Sequence, residues 1–168
     1  YKSAETYAQH HKIIRDNSTG SMRSFLESVL KDPAILVYLN NDVNTLANIN
    51  ENFAREFLEL FSLGEGNYTE KDVRNLSLIL AGESVNPISQ RYQQFRAAKT
   101  AIPRKVLGTE IKTSKEVVEL VLGQEAHALF LAKYFYKTYI SVDSPNTKTL
   151  NWIAKQYRDS NFEIKDLL

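Results

Sequence analysis

The sequence predicts an all-α fold, a single multi-helix domain over residues 1–168 with room for one small β-hairpin in an excursion at 83–112. Three observations carry this. Apolar residues recur three and four apart through most of the chain, the spacing that collects them on one helix face. Ser, Thr, Asn or Asp precede several of these stretches, some with an acid three residues later, the arrangement of a helix capping box. Gly and Pro stand between the stretches, where helices stop. The segments amount to about seven to nine helices.

Residues 2–15 and 21–31 read as the first two helices, the second opened by Ser21 or Ser24 and sending Phe25, Val29 and Leu30 inward. Asp32-Pro33 ends one helix and starts the next, because Asp caps well and Pro suits the first helical position. The segment AILVYL, 34–39, is then a short buried helix. A polar loop, 40–48, leads to the most regular helix, with Asn48 as cap, Glu51 three residues on and Gly64 as stop. On an α-helical wheel Phe53, Ala54, Phe57, Leu58, Leu60 and Phe61 share the buried side, while Glu51, Asn52, Arg55, Glu56 and Glu59 share the polar side. Thr69 with Asp72 caps a helix that runs to about Ala81 and stops at Gly82, with Tyr68 and Val73 at the staple positions.

Residues 83–112 lack helical period and contain Pro87 and Pro103. Thr113 with Glu116 then caps a helix ending near Gly123, 125–140 forms a long apolar one, Ser144-Pro145 opens the next, and FEIKDLL begins a last helix. Tyr1 stands where a Met would begin a protein, and the final residues lie inside an apolar-periodic segment, so the chain reads as a piece of a larger protein.

Apolar residues are 43% and charged residues 24% of the chain, ordinary globular usage that argues against disorder. The net charge of +1 supplies no global field for nucleic acid or an anionic membrane. No apolar run is long enough to span a bilayer. The absence of Cys removes disulfides and thiolate chemistry.

Several side-chain groups invite chemistry. Glu51, Asn52, Arg55, Glu56 and Glu59 form a candidate polar face, where paired carboxylates could act as acid and base or hold a ligand. The competing reading is a set of i,i+4 ion pairs, Glu51 to Arg55 and Arg55 to Glu59. Asp42, Asn44, Asn48 and Asn50 form an oxygen-rich loop that suits a hard cation, although the spacing is not that of an EF-hand and turn chemistry explains it as well. The three histidines are His10 and His11, adjacent and read as surface residues, and His127, alone in an apolar helix. That spacing suits no metal, so neither a metal nor any other cofactor is expected. Arg91, Tyr92, Phe95, Arg96 and Lys99 form a candidate partner contact, continued by Arg104 and Lys105 without an acid between Glu83 and Glu110. A protein partner is expected there, or the remainder of the same protein, and not nucleic acid.

The run Asn50-Glu51-Asn52-Phe53-Ala54-Arg55-Glu56-Phe57-Leu58-Glu59-Leu60-Phe61-Ser62-Leu63-Gly64, followed by Gly66-Asn67-Tyr68-Thr69-Glu70-Lys71-Asp72-Val73, closely resembles the signature of the bacterial family called domain of unknown function 1800. Lys31 to Leu39, Leu107-Gly108 and Ala126 to Ile140 also follow its pattern, so the resemblance covers nearly the whole chain. It implies a divergent, truncated member of a family of larger, often exported proteins without assigned activity. Family features are replaced at Glu83, where a Trp is common, at Lys99-Thr100, where a His-Asp pair is common, and at Gln124-Glu125, where a His-Pro is common. A site built on those histidines in relatives would be lost here. The expected role is a structural or interaction module of an exported or cell-envelope protein. The alternatives are part of a hydrolase-like enzyme completed by absent N-terminal sequence, and a cation-stabilised binding module.

Overall fold

Among residues 4–95 and 100–168, which the computed structural model describes, eight α-helices alternate with short turns and two β-hairpins. The chain runs α1 (Ala4–Asn17), α2 (Met22–Val29), α3 (Pro33–Tyr38), a 3-10 turn (Asn41–Val43), α4 (Asn52–Glu56), a π-helical segment (Phe57–Leu63) and α5 (Glu70–Leu80). Strands β1 (Glu83–Val85), β2 (Tyr92–Gln94), β3 (Arg104–Val106) and β4 (Thr109–Ile111) follow, then α6 (Ser114–Leu122), α7 (Glu125–Tyr139), α8 (Thr147–Asp159) and a 3-10 turn (Ile164–Leu167). The mainly α class is as the periodicity predicts.

Local signals that involve neighbouring residues appear as expected. The Asp32 carboxylate accepts the Ala34 N–H and Pro33 occupies the first turn of α3. Both capping boxes are reciprocal, Thr69 with Asp72 and Thr113 with Glu116. These caps fix where α5 and α6 begin, and their buried faces join one core with Leu26, Leu36, Phe53, Phe57, Leu58 and Tyr157. Each such side chain contributes about 1.5–3 kcal/mol by leaving water.

The signature helix departs from the wheel. Burial steps by four from Phe53 to Phe57 and from Ala54 to Leu58, then by five from Phe57 to Ser62 and from Leu58 to Leu63. A step of five fits the wider turn of a π-helix, whose amide bonds span five residues. Leu60, expected inside, is instead 60% exposed, and Phe61 is only half-buried. The helix also starts later than expected. Asn48 belongs to a tight turn with Thr45, and the Asn50 carboxamide oxygen accepts the Asn52 N–H at 3.0 Å.

Gly64 ends the π-helical segment at φ +79°, and a Cβ there would lie 2.7 Å from the Phe130 ring of α7. With ψ at 161° this is a backbone region open essentially to glycine alone, and it costs another residue about 1–3 kcal/mol. Gly64→Ala is therefore expected to lower stability by at least that amount, read as a shift in the urea midpoint at constant m-value. An unchanged midpoint would mean that neither the positive φ nor the close approach of Phe130 holds at this position.

Among its described residues the 83–112 excursion holds two hairpins rather than one. β1 pairs antiparallel with β2, Glu83 opposite Gln94, and β3 pairs with β4, Arg104 opposite Ile111. Leu107 and Gly108 both have positive φ, 48° and 84°, as a two-residue type I′ turn requires. The Leu107 N–H donates to Asp72 Oδ1 at 2.7 Å, so the carboxylate that caps α5 also fastens this hairpin to it. Three smaller corrections concern helix ends and faces. α3 is not wholly buried, since Tyr38 is 81% exposed. α8 is capped by Asn146, two residues after the expected opening. The terminal FEIKDLL makes a 3-10 turn.

Candidate functional site

The polar face of the signature helix is a brace between α4 and α5. Arg55 donates two parallel bonds to Glu70, at 2.6 and 2.7 Å, and lies 3.9 Å from Glu51, which also takes Arg74 at 3.2 Å. The bond from Arg55 holds the exposed Glu70 carboxyl below its ordinary range. Glu59 does not pair with Arg55. It accepts the Tyr68 hydroxyl at 2.7 Å, and Tyr68 is pushed up to about 12 by burial and by that bond. Asn52 donates to the Leu39 carbonyl at 3.3 Å, and Glu56 faces a groove beside Tyr38. Glu51 and Glu59 thus have separate partners, Glu51 in ion pairs with Arg55 and Arg74 and Glu59 on the neutral Tyr68 hydroxyl.

The oxygen-rich loop uses its side-chain amides within the fold, the Asn44 Oδ1 accepting the Asn50 N–H at 3.0 Å while its Nδ2 reaches α5. A helix leaves its last four carbonyls without intrahelical donors. Asn44 Nδ2 donates to the Ser77 carbonyl at 2.9 Å, and Asn41 Nδ2 donates to those of Leu80 and Glu83 at 3.2 and 2.6 Å, so two buried asparagines cap the end of α5. Sequence reasoning missed Asn41. Among the described residues no group of three or more His, Cys, Asp or Glu side chains is placed to hold a metal ion.

His10 is engaged more deeply than expected, and His127 is packed, as a lone histidine in an apolar helix suggests. His10 is not a surface residue. Its Nδ1 lies 2.6 Å from Oδ2 of the fully buried Asp32, tying α1 to the start of α3. His127 is fully buried, with Nδ1 2.7 Å from the Ser62 carbonyl and Nε2 3.2 Å from the Tyr157 hydroxyl. Burial drives it down to about 4, so the neutral ring donates from Nδ1 and accepts at Nε2. Ser62 is a last-turn carbonyl of the signature helix, and its own hydroxyl donates to Phe57 O at 2.7 Å. His127 therefore fastens α7 and α8 to the π-helical segment.

Of the candidate partner contact, Arg91, Tyr92 and Phe95 lie among the described residues. Tyr92 is half-buried on β2 and its hydroxyl donates to Glu83, a fully buried carboxylate that also accepts Gln94 at 3.2 Å and Ser114 at 2.8 Å. Burial and the Glu83 carboxylate both push the Tyr92 hydroxyl up. Arg91 is exposed but has an acid, Glu5, at 3.2 Å. Phe95 is part exposed, and Arg96 and Lys99 lie outside the described residues.

What the structure brings together instead is apolar surface. A groove of about 290 Å³ lies between α1, α2, the π-helical segment and α7, walled by Ile14, Phe25, Leu60, Phe61, Phe130 and Tyr134. Leu60 and Phe61 also wall a second groove of about 490 Å³ beside Tyr38. Phe135 is shared with a third, of about 860 Å³, beside Ile140 and Trp152. The shared walls make one continuous band. The α-helical wheel hid it by placing Leu60 in the core.

These features define a mainly α domain with two small hairpins and an apolar band. A family model described as "Protein of unknown function (DUF1800)" matches residues 1–168, and the chain belongs to that family. No curated protein and no solved structure matches it. Among the described residues no helix is long and apolar enough to cross a membrane.

Proposed function

We propose that the chain is a protein-interaction module that receives the apolar face of a partner helix in the band running from Tyr38 through Leu60 and Tyr134 to Trp152. One observation carries the reading: these four side chains are each at least 60% exposed, on grooves that share walls. Continuous exposed apolar surface costs a protein solubility and marks places where another surface docks. Grooves between helices accept an amphipathic helix whose apolar anchors repeat at i, i+3, i+4 and i+7. The basic stretch is the weaker surface, because Tyr92 is committed to Glu83. Placement in an exported or cell-envelope protein is part of the same proposal and rests on the family resemblance.

The test is selection of peptides from a displayed library of amphipathic helices. Peptides selected on the wild-type chain are expected to lose at least tenfold in affinity on Leu60→Asp, since a buried charge without a partner is costly. Arg91→Ala is expected to leave affinity unchanged. Selection that is blind to Leu60→Asp, or that follows Arg91, would reject the band as the docking surface. Hydrolysis of ester or glycoside substrates by the chain, lost on replacing Glu51 or Glu59, would favour an enzyme.

A further inference from the structure

We infer that the π-helical segment contains one residue more than the core needs, that this residue is Leu60, and that the extra residue serves to deliver a side chain to the groove. The functional part of this rests on the interaction reading above. The geometric part stands by itself. Ahead of the segment the buried positions follow the α repeat, Phe53 to Phe57 and Ala54 to Leu58. Beyond it the buried Ser62 and Leu63 stand five residues after Phe57 and Leu58, one step too far for an α-helix. Removing a single residue between them returns both steps to four. Ser62, Leu63 and Gly64 then follow Phe57, Leu58 and Glu59 in the α repeat, so the bonds that fix this end, His127 to the Ser62 carbonyl and Gly64 against Phe130, stay in phase with the core.

Within the interval Glu59 is tied to Tyr68 and Phe61 is half-buried, which leaves Leu60 as the residue whose side chain the core does not use. An inserted residue inside an α-helix is accommodated as a π-turn, and such turns collect at functional positions. Here the insertion has a visible product. Leu60 stands in the walls of two grooves at once, at the point where they join. An uninterrupted α-helix would carry the same core and leave Phe61 alone, half-buried, as the wall at that point.

The experiment compares wild type, a variant lacking Leu60, and Leu60→Ala, using thermal unfolding, the NMR signals of the His127 ring and affinity for a peptide selected from the helix library. The deletion variant is expected to fold, to melt within a few degrees of wild type or above it, to retain the protected Nδ1 proton of His127, and to lose at least tenfold in peptide affinity. Leu60→Ala is expected to match wild type in melting and to lose affinity in part. A deletion variant that unfolds or melts far below Leu60→Ala would overturn the inference, because the segment would then be needed by the core. A folded deletion variant with undiminished peptide affinity would overturn the delivery role. If wild type selects no peptide, the interaction reading and the delivery role fail, while the melting comparison still decides whether Leu60 is surplus to the core.

Discussion

Phe57→Ala is expected to lower the free energy of unfolding by about 3–5 kcal/mol, the usual cost of emptying a buried phenylalanine site. The melting temperature should fall on the order of 10 °C for a domain of this size. Phe57 is fully buried, stacks edge-on against Phe53 with centroids 6.2 Å apart, and begins the π-helical segment, so the cavity would open where α4 meets the rest of the core. Leu60→Ala, three residues on in the same helix, is expected to change stability by no more than about 0.5 kcal/mol because its side chain stands in solvent. Chemical denaturation of both variants reads the helix phase directly. A large loss at Leu60 would restore the regular α-helix that the wheel predicts.

The contrast shows what local sequence can encode. The Asp32, Thr69 and Thr113 caps were legible because donor and acceptor lie two or three residues apart, and their chemistry is complete within that window. The π-helical segment was not, because FLELFSL carries the same helix-forming composition whichever register it takes. Its register depends on His127, 65 residues further along, and on Phe130 filling the space over Gly64. Glu83 is a similar case. A carboxylate opening a short strand gives no local sign of burial, which comes from Tyr92 and Gln94 on β2 and Ser114 on α6 converging on it. Of the candidate polar face, the ion-pair chemistry was readable but not the partners, since Glu70 and Arg74 lie on another helix. The second hairpin was signalled only by Leu107-Gly108, and a leucine at positive φ is an uncommon turn residue.

His127 should make the fold acid-labile in a defined window. In the unfolded chain a histidine titrates near 6.5, and in the folded protein burial holds this one down to about 4. Between those values the unfolded state binds a proton that the folded state refuses, so falling pH favours unfolding. The stability that depends on the neutral ring is complete above about pH 6.5 and is lost progressively down to about pH 4, a loss of about 3 kcal/mol. Asp72, whose carboxyl is held low by hydrogen bonds from Thr69 and Leu107 against the opposing effect of burial, adds a loss at lower pH, in wild type and variants alike. His127→Gln isolates the histidine, because glutamine can still donate to the Ser62 carbonyl but has no proton to gain. Its stability at neutral pH is expected to be lower than that of wild type, and its stability should change less between pH 6.5 and 4. Urea denaturation across this range should therefore give two curves that converge as the pH falls. Parallel curves would mean that His127 titrates in the folded protein as it does in the unfolded chain, and the buried contact of its ring with the Ser62 carbonyl would then be absent.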